Sequence, residues 1–145
     1  MEAVDTFTIQ THRGKYEDRP LESRLYFHGQ QLSFKVPGYV IEKQYDCGAY
    51  FLLILSWDCI FEEGCEVVVI SKQLEKVGDC NLTPYYNSYV LTSFSKLATD
   101  QYQLVFNDSE YYELTVHYPK KRWYRRVAKL VKSQRPIDKD GADHA

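Results

Sequence analysis

The sequence predicts an all-β, mainly antiparallel fold: a single-domain β-sandwich or barrel of meander hairpins, closed by one short basic helix at the C-terminus. Aromatic residues make up 15% of the 145 positions, and thirteen of them are Tyr. Tyr favours strands, because its flat ring packs on a pleated surface while its hydroxyl reaches water. Short alternating runs recur between Gly, Pro, Asn and Asp punctuation, the pattern of sequential antiparallel strands. After Pro119 the period changes from two to 3.6, which points to a helix.

The elements follow in order. Residues 5–11 alternate, with Phe7 and Ile9 on one face, and form a first strand. Residues 12–23 mix charge with Gly14 and Pro20 and read as a loop. Arg24–His28 and Gln31–Val36 make a hairpin around Gly29-Gln30, where a leading Gly suits a type II′ turn. Pro37-Gly38 turns the chain into a strand over Tyr39–Tyr45, which Asp46-Cys47-Gly48 ends. Ala49–Trp57 and Cys65–Ser71 are apolar on both faces, the mark of central strands covered from both sides, and Glu62-Glu63-Gly64 turns between them. Leu74–Val77 leads into a turn at Gly78-Asp79. Tyr85–Phe94, with Tyr85, Tyr86, Tyr89 and Val90, is the densest β signal. Gln101–Phe106 and Tyr111–Tyr118 alternate around the polar loop Asn107-Asp108-Ser109-Glu110, a second hairpin. Eight or nine strands are expected in all.

In the final segment Trp123, Val127, Leu130 and Val131 fall at i, i+4, i+7 and i+8, one stripe of a helix over 121–132. A strand there would mix Trp123, Arg125, Val127, Lys129 and Val131 on one face, which is poorly sorted. One domain is therefore expected over 1–132, including this helix. Residues 133–145, with Pro136 and Gly141, read as a flexible polar tail.

The net charge of −2 hides a division. Residues 1–118 hold nine Lys or Arg against seventeen Asp or Glu, whereas residues 119–135 hold eight Lys or Arg and no acid. An acidic body with a concentrated basic segment is a statement about long-range fields and partners. The longest apolar run, Ala49–Leu55, is far short of the roughly 20 residues of a spanning helix. The start lacks the basic and apolar regions of a secretory signal, so no membrane span and a cytoplasmic location are expected.

Four cysteines, Cys47, Cys59, Cys65 and Cys80, are expected as free, partly buried thiols. A disulfide reading weakens without a signal peptide. A zinc reading weakens because gaps of eleven, five and fourteen residues lack the close pairs of structural sites. No phosphate-cradling, dinucleotide, nucleophile-elbow or zincin motif occurs, so no cofactor, no metal and no catalytic residue are assigned. Among the histidines His12, His28, His117 and His144, only a pairing of Cys59 with His28 or His117 has catalytic interest, and no spacing argument supports it.

The expected function is therefore a non-catalytic protein-interaction domain that binds a basic protein partner through an acidic, Tyr-rich surface, in the manner of an inhibitor or immunity-type protein. Exposed Tyr supplies contact area at low entropic cost, and carboxylates steer basic partners. The candidate contacts are Glu62, Glu63, Tyr85, Tyr86 and Tyr111. The alternative is a single-stranded nucleic-acid binder using Lys120, Lys121, Arg122, Trp123, Arg125, Arg126 and Lys129, since cations neutralise phosphates and rings stack on unpaired bases. A second alternative is a small enzyme with Cys59 or Cys65 as nucleophile.

Overall fold

The structure, a computed structural model, describes residues 1–85, 87–119 and 126–133. Twelve strands occur among them: β1 (Glu2–Ala3), β2 (Phe7–Ile9), β3 (Glu22–Phe27), β4 (Gln30–Pro37), β5 (Val40–Asp46), β6 (Tyr50–Ser56), β7 (Cys65–Ser71), β8 (Lys76–Leu82), β9 (Leu91–Ala98), β10 (Gln101–Phe106), β11 (Glu110–Val116) and β12 (Ala128–Ser133). They form three antiparallel sheets, ordered β1-β5-β6-β7-β8, β12-β11-β10-β9 and β2-β3-β4.

The five-stranded sheet lies in the middle, and the alternation of β6 and β7 shows why. Successive side chains of a strand point to opposite faces. Tyr50, Leu52 and Ile54, with Cys65, Val67 and Val69, pack on Tyr102, Leu104, Phe106 and Leu114 of the four-stranded sheet. Phe51, Leu53 and Leu55, with Val68 and Ile70, pack on Phe7, Leu25 and Val36 of the three-stranded sheet. All seven residues of each strand are buried. Burying one such aliphatic or aromatic side chain contributes about 1.5–3 kcal/mol, so both faces of this sheet hold the fold together.

Buried polar groups inside these layers find partners. The Tyr50 hydroxyl donates to Asp100 Oδ1 at 2.8 Å and lies 2.7 Å from the Tyr102 hydroxyl. With its own proton committed to the carboxylate, Tyr50 accepts from Tyr102, and the pair closes one end of the core.

Three layers replace the expected sandwich or barrel, and among the described residues no sheet closes on itself. The helix expected over 121–132 is corrected as well. No α-helix occurs among the described residues, whose helical turns are the short 3-10 turns Tyr16–Asp18 and Ile60–Glu62. Residues 121–125 lie outside the described residues, but Ala128–Ser133 is a strand paired with β11, from Val116↔Ala128 to Tyr111↔Ser133. The 3.6-residue spacing was coincidental. Ala128 and Leu130 face the core, Val131 is 50% exposed, and Lys129 and Lys132 stand in water, which suits an edge strand. The tail expected over 133–145 falls, from residue 134 onward, outside the described residues.

Smaller departures have local causes. The β3–β4 turn is His28-Gly29, with φ of 49° and 79°, so it is a type I′ turn one residue earlier than the type II′ turn expected. Gly78 does not end a strand but lies inside β8, where a Cβ would collide with the Val127 side chain; only Gly admits that approach. The Tyr-rich run from Tyr85 to Val90 contains no strand residue among those described, and β9 begins at Leu91.

Candidate functional site

The strand registers give the stack two unlike ends. At one end lie tight turns: His28-Gly29, Cys47–Ala49, Lys72–Glu75 and Thr99-Asp100. At the other lie the longer β2–β3, β6–β7 and β8–β9 connections, beside the β4–β5 and β10–β11 turns. The β6–β7, β8–β9 and β10–β11 connections carry Asp58, Glu62, Glu63 and Asp108 and contain no Lys or Arg. Strand β12 pairs with β11 from Val116↔Ala128 at the turn end to Tyr111↔Ser133 at the loop end.

Hydrogen bonds tie these connections together. The Glu63 carboxylate accepts the backbone N–H of Trp57 and, at 2.9 Å, that of Cys59, so it organises the β6–β7 loop from inside. Its own N–H donates to Ser88 Oγ at 2.7 Å, and its carbonyl accepts the Tyr89 N–H at 2.6 Å, which joins the β8–β9 loop. Asn107 Nδ2 donates to Ser88 O at 2.6 Å and to Glu110 Oε2 at 2.9 Å, which adds the β10–β11 turn. On the other side the Tyr16 hydroxyl donates to Trp57 O and the Tyr39 hydroxyl to Pro20 O, both at 2.8 Å. The Arg19 guanidinium lies over the rings of Tyr16 and Tyr39 and 3.6 Å from Asp58.

On this tied frame Phe61 is 92% exposed and Tyr85 83% exposed, and Leu21 and Tyr16 are exposed nearby in the β2–β3 loop. Between the loops opens a cavity of about 200 Å³, with Val40, Ile54, Leu55, Val90 and Leu91 in its walls and Glu42, Asp58, Cys59 and Glu63 around it. Glu42 Oε1 accepts the Ser56 hydroxyl at 2.6 Å. Burial raises the Glu63 carboxyl above its ordinary value, the Trp57 and Cys59 N–H groups pull it down, and the charges of Glu42 and Asp58 push it up.

No protein-family model, curated protein or solved structure matches this chain.

Of the residues singled out from sequence, Glu62, Glu63 and Tyr85 come together in two joined loops. Glu62 is exposed, whereas Glu63 is buried and holds the loop. Tyr111 is half-buried near the start of β11, at the same end of the stack. Tyr86, Lys120, Lys121, Arg122, Trp123 and Arg125 lie outside the described residues; Arg126 and Lys129 are exposed, the first at the turn end and the second on β12. Sequence reasoning missed Phe61, Asp58, Glu42 and Tyr16. Phe61 carried a readable signal, since it sits beside two carboxylates in a short run between two strands that carry apolar residues on both faces.

The candidate catalytic groups do not assemble. Cys59 is at the loop end, while His28 and His117 are at the opposite end. His12 Nε2 is 2.7 Å from Ser23 Oγ, but that buried hydroxyl donates to Gly38 O at 2.6 Å, so the imidazole donates to it and the pair is a structural tie. All four cysteines are free thiols, and burial pushes Cys65 well up and Cys80 up to about 12. Among the described residues no group of three or more His, Cys, Asp or Glu side chains is placed to hold a metal ion, and no helix is long and apolar enough to cross a membrane.

Proposed function

We propose that this chain is a non-catalytic protein-interaction domain that binds a basic protein partner through its loop end, as an inhibitor or neutraliser of that partner. One observation carries the reading: three adjoining connections without a single Lys or Arg present Phe61 and Tyr85 to solvent beside Asp58 and Glu62. Exposed aromatics are the side chains that most often anchor interfaces, and surrounding carboxylates accelerate encounter with a cationic surface. The hydrogen bonds among the loops supply preorganisation, so little conformational freedom is lost on binding.

The test is capture from native extract by the full chain, compared with a Phe61→Ala/Tyr85→Ala double variant and with Glu62→Lys. The wild type is expected to retain a stoichiometric basic protein, both variants to lose it, and association to slow as salt rises. Capture of nucleic acid alone, of nothing, or of the same protein by all three forms overturns the reading.

A further inference from the structure

We infer that the loop-end cavity is a socket for one lysine or arginine side chain of the partner, its apolar walls taking the aliphatic stem and its carboxylates the terminal cation. This rests on the reading of the loop end as a protein-binding surface and specifies what enters it. The volume of about 200 Å³ is below the range of pockets for drug-sized ligands or cofactors and suits a single long side chain. The walls are chemically divided: Val40, Ile54, Leu55, Val90 and Leu91 are aliphatic, and Glu42, Asp58 and Glu63 supply the charge. Lysine and arginine have the same division, an apolar stem under a charged head.

Among the described residues no Lys or Arg lines the cavity. Arg19, which approaches Asp58, is held over the rings of Tyr16 and Tyr39. The salt bridges among the described residues, Arg19–Asp58, Lys72–Asp46 and Lys76–Asp79, leave Glu42 and Glu63 without a cationic partner. The Glu63 carboxyl is raised by burial and by the Glu42 and Asp58 charges, and an incoming cation relieves that repulsion. Glu63 is tied to the backbone and is thus a preorganised floor, whereas Glu42 is exposed and is held at the rim by the Ser56 hydroxyl, which occupies Oε1 and leaves Oε2 for a ligand.

The experiment titrates the ¹⁵N-labelled full chain with the acetylated amides of lysine, arginine and norleucine, and follows the amide signals of Glu42, Ser56, Glu63, Gly64 and Leu91. The lysine or arginine compound is expected to shift these signals, norleucine to leave them nearly still, and Glu42→Gln and Asp58→Asn each to weaken binding about tenfold, the scale of one hydrogen bond to a charged group. Glu63 is left intact because the loop depends on it. Equal shifts with norleucine, shifts spread over the molecule without preference for the cavity, or binding unchanged in Glu42→Gln overturns the socket. Partner capture that is lost in Phe61→Ala/Tyr85→Ala but unchanged in both Glu42→Gln and Asp58→Asn also overturns it, while the interaction surface stands. Local cation binding that these two substitutions weaken supports the socket even where no protein is captured, and in that case the reading of the whole surface fails separately.

Discussion

Glu66 of β7 shows how one side chain can set a pH dependence. It is only 7% exposed, on the face of the middle sheet that also carries Val68 and Ile70. Burial raises its carboxyl from 4.5 to about 7; the Asn81 side chain pulls it back by hydrogen bonding, Asp79 pushes it further up and Lys76 pulls it down. The folded pKa thus lies above the unfolded one. Below about pH 4.5 the group is protonated in both states and carries no penalty, whereas above about pH 7 the folded state must hold a buried carboxylate. Stability is therefore expected to fall as pH rises between these values. Glu66→Gln should remove that slope and stabilise the protein by about 1–2 kcal/mol above pH 7, since water at the sheet margin screens part of the full shift. Urea midpoints at about pH 4 and about pH 8 check this: the difference between the two proteins should be small at the lower pH and open at the higher.

At the scale of elements, β12 is the instructive case, because a helical period stood over a segment that folds as an edge strand. Strand β11 offers it a row of backbone partners, and Val127 fills the notch that Gly78 leaves in β8. A Cβ at position 78 would collide with the Val127 side chain, so Gly78→Ala is expected to destabilise the protein by about 1–3 kcal/mol through overpacking. Val127→Ala in the same chain should recover part of that loss, giving a coupling energy in a double-mutant cycle. Additive losses would mean that the two residues do not share the notch. Elements whose signals were local were legible in the sequence. The β10–β11 hairpin combined alternation with Asn107-Asp108-Ser109, and β6 and β7 were apolar on both faces. Elements decided by distant groups were not. The Tyr85–Val90 run has high strand propensity, yet the backbone of Ser88, Tyr89 and Val90 is claimed by Glu63 and Asn107. The candidate site divides in the same way: Glu62 and Tyr85 could be named from local composition, but nothing local brings Glu42 and Asp58 to one cavity or the Tyr16 hydroxyl to Trp57 O.

For the molecule as a whole, the middle sheet is the part on which everything else depends. In a sheet with one wet face, two consecutive strand residues respond unequally to truncation. Here Leu52 and Leu53 point into different cores and both are fully buried. Leu52→Ala and Leu53→Ala are each expected to cost about 2–5 kcal/mol in chemical denaturation, and a tolerant member of the pair would contradict the three-layer arrangement. The charge distribution has a similar simplicity. At the loop end the β6–β7, β8–β9 and β10–β11 connections hold Asp58, Glu62, Glu63 and Asp108 without a Lys or Arg, and the cations Arg13, Lys15 and Arg19 belong to the β2–β3 connection beside them.

The covering of β6 and β7 also determines what happens once it is lost. Tyr50–Ser56 has no charge, Pro or Gly, and Cys65–Ser71 has Glu66 as its single charge. Uncharged strands of high β-propensity, once uncovered, pair with their like in other molecules. Heating is accordingly expected to end in precipitate faster than the chain can refold, with an apparent Tm that rises with scan rate. The layers that give this protein two cores also act as its barrier against self-assembly, and its lifetime when warm is set by how fast they part.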